Sequence, residues 1–361
     1  MLAEQAMTQR NAKLNHRLEK GPKWLVLGVN NTCNLHCKMC DVGTKSNDTI
    51  FSTNLTGTRP LDMPLELFET IVSQAAQQYP DIKLGYAFTE PLIYRYLEES
   101  LALTQRHGLH TSITTNALKL REKADQITRF GVQEVFVSLD GTQDIHNDIR
   151  GHRHSFQRAI EGMETLFSLA NAPRVSVFCV ITEWNIGTLA EFVSTFQQYP
   201  LEHIGFMHPN FTSRELAAQH NAVYGDRYVA THSNIEEMSI DNMDLDLLWD
   251  DMQCIEAMQG TCPVTFSPDL QSRAALDTFY KQPSVFIGRQ CHDIFSNMMV
   301  KSDGSVIPAH GRCYNYTVGN VYDNDLRDIW NSLPFSQLRQ DVLGAGGFLP
   351  ACSRCCSAFS P

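Results

Sequence analysis

The chain has 361 residues, with 29 Lys and Arg against 40 Asp and Glu, a formal net charge of −11, and 43% hydrophobic residues. This length predicts two or three domains, and the hydrophobic content excludes a mainly disordered chain. The acidic charge argues against nucleic-acid binding, and no apolar run is long enough to cross a membrane. Residues 1–22 are polar and lack the apolar region of a secretory signal, so we expect a cytoplasmic protein.

From Trp24 onward, apolar runs typical of strands alternate with segments of helical periodicity. Strands are predicted at 24–29, 82–88, 110–114, 134–139, 174–181 and 203–207, and helices at 65–75, 92–104, 118–130, 156–170 and 186–196. Alternating strands and helices predict an α/β fold with a parallel sheet, because parallel neighbours need crossover connections. The functional loops are then expected at the carboxyl ends of the strands.

Beyond the sixth strand the composition changes. Residues 232–251 carry seven acidic residues and no Lys or Arg, while the apolar side chains at 245, 248, 252 and 255 keep helical spacing. We interpret 232–285 as an acidic linker with an amphipathic helix whose charged face is solvated, and a cation-binding face is the alternative. Residues 286–361 form a smaller cysteine-bearing region.

Eleven cysteines are many for a cytoplasmic chain, and their odd number excludes complete intrachain pairing. In a reducing compartment, clustered cysteines are more often metal ligands than disulfides. One group contains Cys33, Cys37 and Cys40, and the other contains Cys291, Cys313, Cys352, Cys355 and Cys356. The two groups, at opposite ends of the chain, predict two metal sites. The remaining cysteines are Cys179, Cys254 and Cys262.

The first group has the spacing C-x3-C-x2-C on the loop after the first strand. Three thiolates this close can hold three irons of a cubane cluster and leave the fourth iron open. A structural zinc site would need a fourth protein ligand, and the nearby candidate, His36, would strain the loop. Chance clustering is the other alternative.

This cysteine loop resembles that of the radical S-adenosylmethionine (AdoMet) enzyme superfamily. The resemblance implies a partial (β/α)6 barrel of the TIM type over residues 23–231, after an N-terminal extension of residues 1–22. It further implies that the open iron of a 4Fe–4S cluster binds AdoMet. One electron then cleaves AdoMet to methionine and a 5′-deoxyadenosyl radical, which removes a hydrogen atom from the substrate.

Further stretches carry the same resemblance in the same order. Thr89-Glu90-Pro91 stands where the family has Gly-Gly-Glu-Pro, with Phe88 and Thr89 in place of the glycines. The resemblance implies that Glu90 contacts the AdoMet amino group, and that a Ser and an Arg after the fourth strand approach the ribose or carboxylate. The implied cofactor-binding residues are Glu90, Thr115, Asn116, Ser138, Asp140 and Arg150.

The second group resembles the SPASM/twitch extension of this superfamily. A predicted hairpin, Asp303–Pro308, lies between its first two cysteines. The count fits one auxiliary 4Fe–4S cluster held by Cys291, Cys313, Cys352 and Cys355, with Cys355 preferred to Cys356. Ala309 and His310 stand where the family often has a cysteine, so either Cys313 takes that role or His310 is an unusual ligand. A structural zinc ribbon is the alternative.

These features predict a radical AdoMet oxidoreductase or lyase acting on a small polar molecule such as a sugar or aminocyclitol. Its auxiliary cluster would accept the electron that the substrate loses, and a flavodoxin or ferredoxin would supply the reducing electron. The alternative is a peptide-modifying maturase or epimerase, although 22 residues before the first strand are too few for a leader-binding domain. The remote alternative is a non-enzymatic zinc or iron–sulfur protein.

Polar residues after the fifth and sixth strands are candidates to face the substrate. They are Glu183, His208 and Asn210. Cys179 lies within a strand and is expected to be a buried apolar side chain, while Cys254 and Cys262 are alternative hydrogen-atom donors for an epimerase.

Overall fold

The computed structural model describes residues 18–260 and 262–359. Their strands form one sheet in the order β10-β9-β8-β1-β2-β3-β4-β5-β6-β7. The strands are β1 (Trp24–Leu27), β2 (Lys83–Tyr86), β3 (His110–Thr115), β4 (Glu134–Ser138), β5 (Arg174–Val180), β6 (His203–Met207), β7 (Val264–Ser267), β8 (Asn297–Val300), β9 (Ser305–Pro308) and β10 (Gly319–Asn320). Strands β8 and β1 to β7 run parallel, β9 pairs antiparallel with β8, and β10 pairs antiparallel with β9.

Helices follow most of the parallel strands. Among the described residues they are α1 (Ile50–Thr56), α2 (Leu65–Gln78), α3 (Leu97–Arg106), α4 (Leu120–Arg129), α5 (Gln143–Arg150), α6 (Ser155–Ser168), α7 (Leu189–Phe196), α8 (Arg214–Tyr224), α9 (Leu245–Ala257), α10 (Arg273–Lys281), α11 (Leu326–Trp330) and α12 (Leu333–Gly344). None of these helices is long and apolar enough to span a membrane.

The two faces of the strands differ in burial. Val135 and Val137 of β4 are fully buried, whereas Phe136 between them is half-buried. Phe136 packs edge-on against Phe178 of β5, and the ring of Phe178 occupies space that a side chain at Gly205 would fill. Side chains on one face therefore form the main core, while the other face is less completely covered.

The predicted α/β class with a parallel sheet is confirmed, and all six predicted strands are present, most of them shorter at one or both ends. The helix predicted at 92–104 is wrong in its first turn, because Pro91–Ile93 forms a separate 3-10 turn before α3. The predicted linker helix exists as α9, but β7 and α10 also lie within 232–285. The predicted hairpin is β8–β9, and β8 pairs with β1, so the cysteine-bearing region shares the sheet.

Candidate active site

The first cysteine loop leaves the carboxyl end of β1 and packs against the end of α5. Lys38 N donates to Ile149 O at 2.9 Å, and His36 N donates to Arg150 O at 3.4 Å. The loop lies in an apolar cluster whose buried members are Leu35, Cys37, Met39, Leu118, Ile149 and Met238. These contacts hold the three closely spaced cysteines at the edge where the loops of a parallel sheet meet.

The three thiols interact with one another and with two polar neighbours. Burial raises the pKa of Cys37 to about 12; Arg150 lowers it, and the charges of Cys40 and Cys33 raise it further. Arg150 Nη1 lies 3.7 Å from Cys37 Sγ, and Asn116 Nδ2 lies 3.9 Å from Cys33 Sγ. Because thiolate is the metal-binding form and three thiolates repel one another, a bound cationic group would stabilise them. The donor set therefore fits an iron–sulfur cluster.

Glu90 is fully buried and its carboxylate is already hydrogen-bonded within the protein. Thr115 Oγ1 and Leu92 N donate to Oε1 at 2.6 and 3.1 Å, and Asn116 N donates to Oε2 at 2.8 Å. Burial raises the pKa of Glu90 to about 7, against the lowering effect of these hydrogen bonds. A nearby ammonium group would favour the charged carboxylate. Thr115 and Asn116 thus orient Glu90.

Asp140 and Arg150 form a buried ion pair beside the first loop. One oxygen of Asp140 accepts from Arg150 Nε, and the other accepts from Val180 N at 3.0 Å. Asp140 N donates to His146 Nδ1 at 3.1 Å. With both carboxylate oxygens engaged, Asp140 positions the guanidinium group against Cys37. Ser138, predicted as a cofactor residue, is half-buried at the end of β4.

The four cysteines predicted for the auxiliary cluster line a single cavity. Cys291, Cys313, Cys352 and Cys355 all border it, whereas Cys356 borders a smaller neighbouring cavity. Burial, and then the charges of the other thiolates, raise the pKa values of Cys291 and Cys313. Burial and the charge of Cys355 raise the pKa of Cys352 to about 12. As at the first loop, this donor set fits a bound cationic cluster.

Tertiary contacts bring these cysteines together from three separate segments. Cys291 N donates to Gly347 O at 2.9 Å, and Tyr314 Oη lies 3.1 Å from Cys352 Sγ. Arg354, between Cys352 and Cys355, is buried and donates to five backbone carbonyl groups. Those groups belong to Thr278, Phe279, Gln282, Val285 and Ser353. Arg354 therefore ties the C-terminal cysteine pair to the end of α10.

His310 lies beside the C-terminal cysteines. Its ring and the thiols of Cys355 and Cys356 offer ligand atoms within 4.8 Å of one another. However, His310 Nδ1 accepts from Arg312 N at 3.2 Å, and Nε2 lies 2.8 Å from Ser357 Oγ. Both ring nitrogens thus have partners in the protein. His310 and Cys313 both border the same cavity as the other three cysteines.

Asn54, which the sequence analysis missed, joins the two cysteine regions. It lies in α1, which follows the first cysteine loop, and is 1% exposed. Asn54 Nδ2 donates to Gly311 O at 2.9 Å and to Cys313 O at 2.8 Å. A single Asn in a polar stretch has no local signal for this role, since its partners lie more than 250 residues away in the chain.

Phe88 is a second residue whose contacts the sequence did not predict. Its φ of +85° lies in the region that favours glycine, which the resembled family has at this position. The ring stacks on His310 with centroids 5.8 Å apart and meets Phe51 edge-on at 6.4 Å. The sequence signal for an unusual contact here is that Phe88 and Thr89 replace the two glycines of the family's Gly-Gly-Glu-Pro motif.

The three predicted substrate-facing residues do not form one cluster of contacts. His208 is 2% exposed, and its Nδ1 lies 2.7 Å from Tyr280 Oη; burial lowers its pKa to about 3. Glu183 Oε1 accepts from Ser239 N at 2.9 Å. Asn210 borders both the four-cysteine cavity and the small cavity beside His208.

The remaining cysteines lie away from both groups. Cys179 is fully buried in β5, as expected. Cys254 is exposed on α9, and Cys262 is buried at the amino end of β7, opposite the functional loops.

The parallel α/β sheet carries three thiols on its first loop, and a second set of four lies near the other end of the chain; both donor sets fit iron–sulfur clusters. The family model for the radical SAM superfamily matches residues 28–196, and that for the iron-sulfur cluster-binding domain SPASM matches residues 291–356. Residues 28–196 therefore form a radical SAM domain, and residues 291–356 form a SPASM domain. Members of the radical SAM superfamily are enzymes; the radical SAM domain implies a 4Fe–4S cluster and AdoMet, and the SPASM domain implies auxiliary iron–sulfur binding.

Curated relatives match about half of the chain. An uncharacterized protein of Methanocaldococcus jannaschii is 26% identical over 194 residues, 52% of this chain and 62% of that protein. Fe-coproporphyrin III synthase of Methanosarcina barkeri is 23% identical over 191 residues, 53% of this chain and 45% of that protein. The chain thus spans less than two thirds of the length of these relatives.

The fold is similar to that of a solved radical SAM structure. SuiB of Streptococcus suis, crystallised with S-adenosylmethionine, superimposes with a TM-score of 0.63 over 97% of this chain and 76% of that chain. The sequence identity is 17%, so this likeness concerns the fold alone.

Proposed function

We propose that this enzyme oxidises a small polar substrate, such as a sugar or aminocyclitol, at a carbon that bears a hydroxyl group. When bound, AdoMet and the two clusters would supply a radical that takes one hydrogen atom from that carbon and an acceptor for the remaining electron, while the hydroxyl proton leaves and a carbonyl group forms. Loss of water from the same substrate radical, as in a lyase, is the related outcome.

At the first site, Cys33, Cys37 and Cys40 would hold the cluster and leave one iron for AdoMet. Glu90 would bind the AdoMet amino group, because its buried carboxylate is oriented by Thr115 and Asn116. Ser138 and Arg150 would approach the carboxylate or ribose of AdoMet. Asp140 would act through Arg150, which it holds in place.

At the second site, Cys291, Cys313, Cys352 and Cys355 would hold one auxiliary cluster. Four thiolates saturate a cluster, so it would have no iron free for AdoMet and could exchange electrons only. Their position around one cavity supports this set, and the position of Cys356 on a neighbouring cavity supports Cys355 as the ligand.

The observation that carries the small-substrate proposal is a segment that crosses the carboxyl end of the sheet. Asp41, after the first cysteine loop, accepts from Ser233 Oγ at 2.8 Å and from Asn234 N at 2.7 Å. A few residues further on, Ser239 N donates to Glu183, which follows β5. Because β1 and β5 are four strands apart, residues 233–239 cross the opening between the loops at the carboxyl ends of the strands, which we call the mouth. A mouth crossed by this segment admits a small molecule more readily than an extended peptide.

The test uses anaerobically reconstituted protein with dithionite and AdoMet. Sugars and aminocyclitols deuterated at the carbinol carbon are added, and 5′-deoxyadenosine is analysed by mass spectrometry. We expect a member of this set to transfer deuterium to 5′-deoxyadenosine and to yield a carbonyl product. No 5′-deoxyadenosine under any condition would contradict the radical assignment.

A peptide substrate is the second candidate, because SuiB has been crystallised with its precursor peptide SuiA and shares the fold over 97% of this chain. Deuterium transfer from peptides alone would replace the small-molecule proposal by this one.

We further propose that a flavodoxin or ferredoxin supplies the reducing electron. We also propose a cytoplasmic location, because the chain has an odd number of cysteines, eleven in all. The number of auxiliary clusters is tested separately. Electron paramagnetic resonance of the reduced protein lacking Cys33, Cys37 and Cys40 should give one cluster signal.

A further inference from the structure

A short basic segment follows the end of α5. Residues 150–158 contain three arginines and two histidines and no acidic residue, in a chain with a net charge of −11. Arg153, His154 and Arg158 are exposed, and His152 is half-buried. We call these four residues the basic patch.

The members of the basic patch lie close to one another. The rings of His152 and His154 have centroids 6.3 Å apart, and His154 N donates to His152 Nδ1 at 3.2 Å. Burial lowers the pKa of His152, and the positive charges of Arg158, His154 and Arg153 lower it further. The lowered pKa favours neutral His152, so the positive charge of the patch comes from the exposed Arg153 and Arg158.

Two acidic side chains that flank the patch in the chain have basic partners outside it. Asp148, on α5, pairs with Lys38 at 2.7 Å. Glu161, on α6, pairs with Arg121 at 3.2 Å. Arg153 and Arg158 lie between Asp148 and Glu161 in the chain and are both exposed.

The basic patch adjoins the first cysteine loop. Gly151, with φ of +64°, allows a close approach: a Cβ there would lie 2.9 Å from His36 O. His36 is exposed, and Arg150, next to Gly151, donates to Cys37 Sγ at 3.7 Å. The chain that carries the patch thus touches both the surface and the buried end of the loop.

We propose that the basic patch is the docking site for an acidic one-electron carrier protein of the flavodoxin or ferredoxin type. This rests on the proposed cluster at Cys33, Cys37 and Cys40. In each transfer the carrier loses one electron and the cluster gains one, before AdoMet is cleaved. A positive patch on an acidic protein would steer an acidic partner to this face, where the thiols are close to the surface, and repel it elsewhere.

The test compares Arg153→Glu/Arg158→Glu with wild type, using the reconstituted holoenzyme. The control is Arg106→Glu, since Arg106 is 67% exposed near the amino end of β3, at the opposite end of the sheet. A flavodoxin and a ferredoxin serve as carriers. Binding of each oxidised carrier is measured by calorimetry, and 5′-deoxyadenosine formation is measured with each reduced carrier and with saturating dithionite.

At low ionic strength we expect the double variant to weaken carrier binding and slow carrier-driven turnover by about tenfold or more. Added salt should slow the wild type but hardly affect the variant. Dithionite-driven turnover should be unchanged, and the control should behave like wild type.

Equal carrier binding and turnover in the double variant and the control would overturn the proposal, as would failure of both carriers to reduce the wild type. Failure of dithionite as well would instead contradict the proposed cluster, and the docking proposal with it.

Discussion

The two cysteine regions of this protein are built in different ways. The first takes three thiols from eight consecutive residues, on a loop that follows one strand. The second takes four thiols from three segments, and the residues between them form three strands of the sheet and two helices. Each region combines buried and half-buried cysteines, but only the first is compact in sequence.

This difference has a physical consequence. The first loop needs few long-range contacts to bring its thiols together, whereas the second depends on side chains that hold distant segments in register. Arg354 and Asn54 are two such side chains, and neither belongs to a cysteine motif. The auxiliary site should therefore be the more sensitive to substitutions that leave every cysteine in place.

The largest effect is expected from Cys33→Ala/Cys37→Ala/Cys40→Ala. This variant should lose about four irons per chain and all AdoMet cleavage, because the cluster loses its protein ligands. Iron and sulfide analysis after anaerobic reconstitution checks this. Cys254→Ala, which removes an exposed cysteine, is the control and should keep all its iron. Unchanged iron in the triple variant would contradict the assignment.

Arg354→Met should affect the second cysteine region and leave the first cysteine loop unchanged. Loss of a buried charge that satisfies five carbonyl groups should lower the free energy of unfolding by about 3 kcal/mol. We expect the auxiliary iron to be lost while the first cluster remains. Chemical denaturation and iron analysis measure this. The control is Arg289→Met, an exposed arginine of the same region. Equal iron loss from both regions would mean that they are not independent.

Glu90→Gln tests whether the first region also depends on a distant side chain. Loss of the charge should weaken AdoMet binding about 30-fold at pH 8, the equivalent of about 2 kcal/mol. The pKa of Glu90 is raised to about 7, so the wild-type carboxyl group is protonated below that pH. Wild-type affinity should therefore fall as the pH is lowered from 8 to 6.

Glu90→Gln should lack this pH dependence, and its cluster content should be normal. Equilibrium binding of AdoMet to the reconstituted protein measures both effects. Wild-type affinity in the variant at pH 8 would show that the amino group is bound elsewhere.

Asn54→Leu should affect the link between the two regions. Two hydrogen bonds to the turn that carries Cys313 are lost, which should destabilise the protein by about 2 kcal/mol. The auxiliary cluster signal in electron paramagnetic resonance should change, and that of the first cluster should not. Asn324→Leu, at an exposed position, is the control. An unaltered auxiliary signal would limit Asn54 to a role in folding.

The smallest effect is expected at Phe88, where two variants form a matched pair. Both Phe88→Gly and Phe88→Ala remove the ring contacts with Phe51 and His310, but only Gly relieves the strain of a positive φ. Gly should therefore be more stable than Ala by about 1 kcal/mol, as measured by chemical denaturation. Equal stability would indicate that the backbone at this position is unstrained.

The local patterns of the sequence determined the strands β1 to β6, the helices between most of them, and the cysteine loop after β1. They could do so because hydrophobic periodicity and close spacing are properties of neighbouring residues. The family resemblance implies cofactor-binding roles for Glu90 and Arg150, because each lies in a short motif that follows a predicted strand.

Only the tertiary structure decided how distant segments meet. The sequence predicts a linker where β7 lies, because the four residues of this strand have no strong pattern of their own; its place in the sheet comes from pairing with β6. Long-range contacts likewise determine three further features. They are the crossing of the mouth by residues 233–239, the amide of Asn54 beside Cys313, and the different cavities that Cys355 and Cys356 border. Such contacts are set by packing and hydrogen bonding in three dimensions, which no single stretch of sequence encodes.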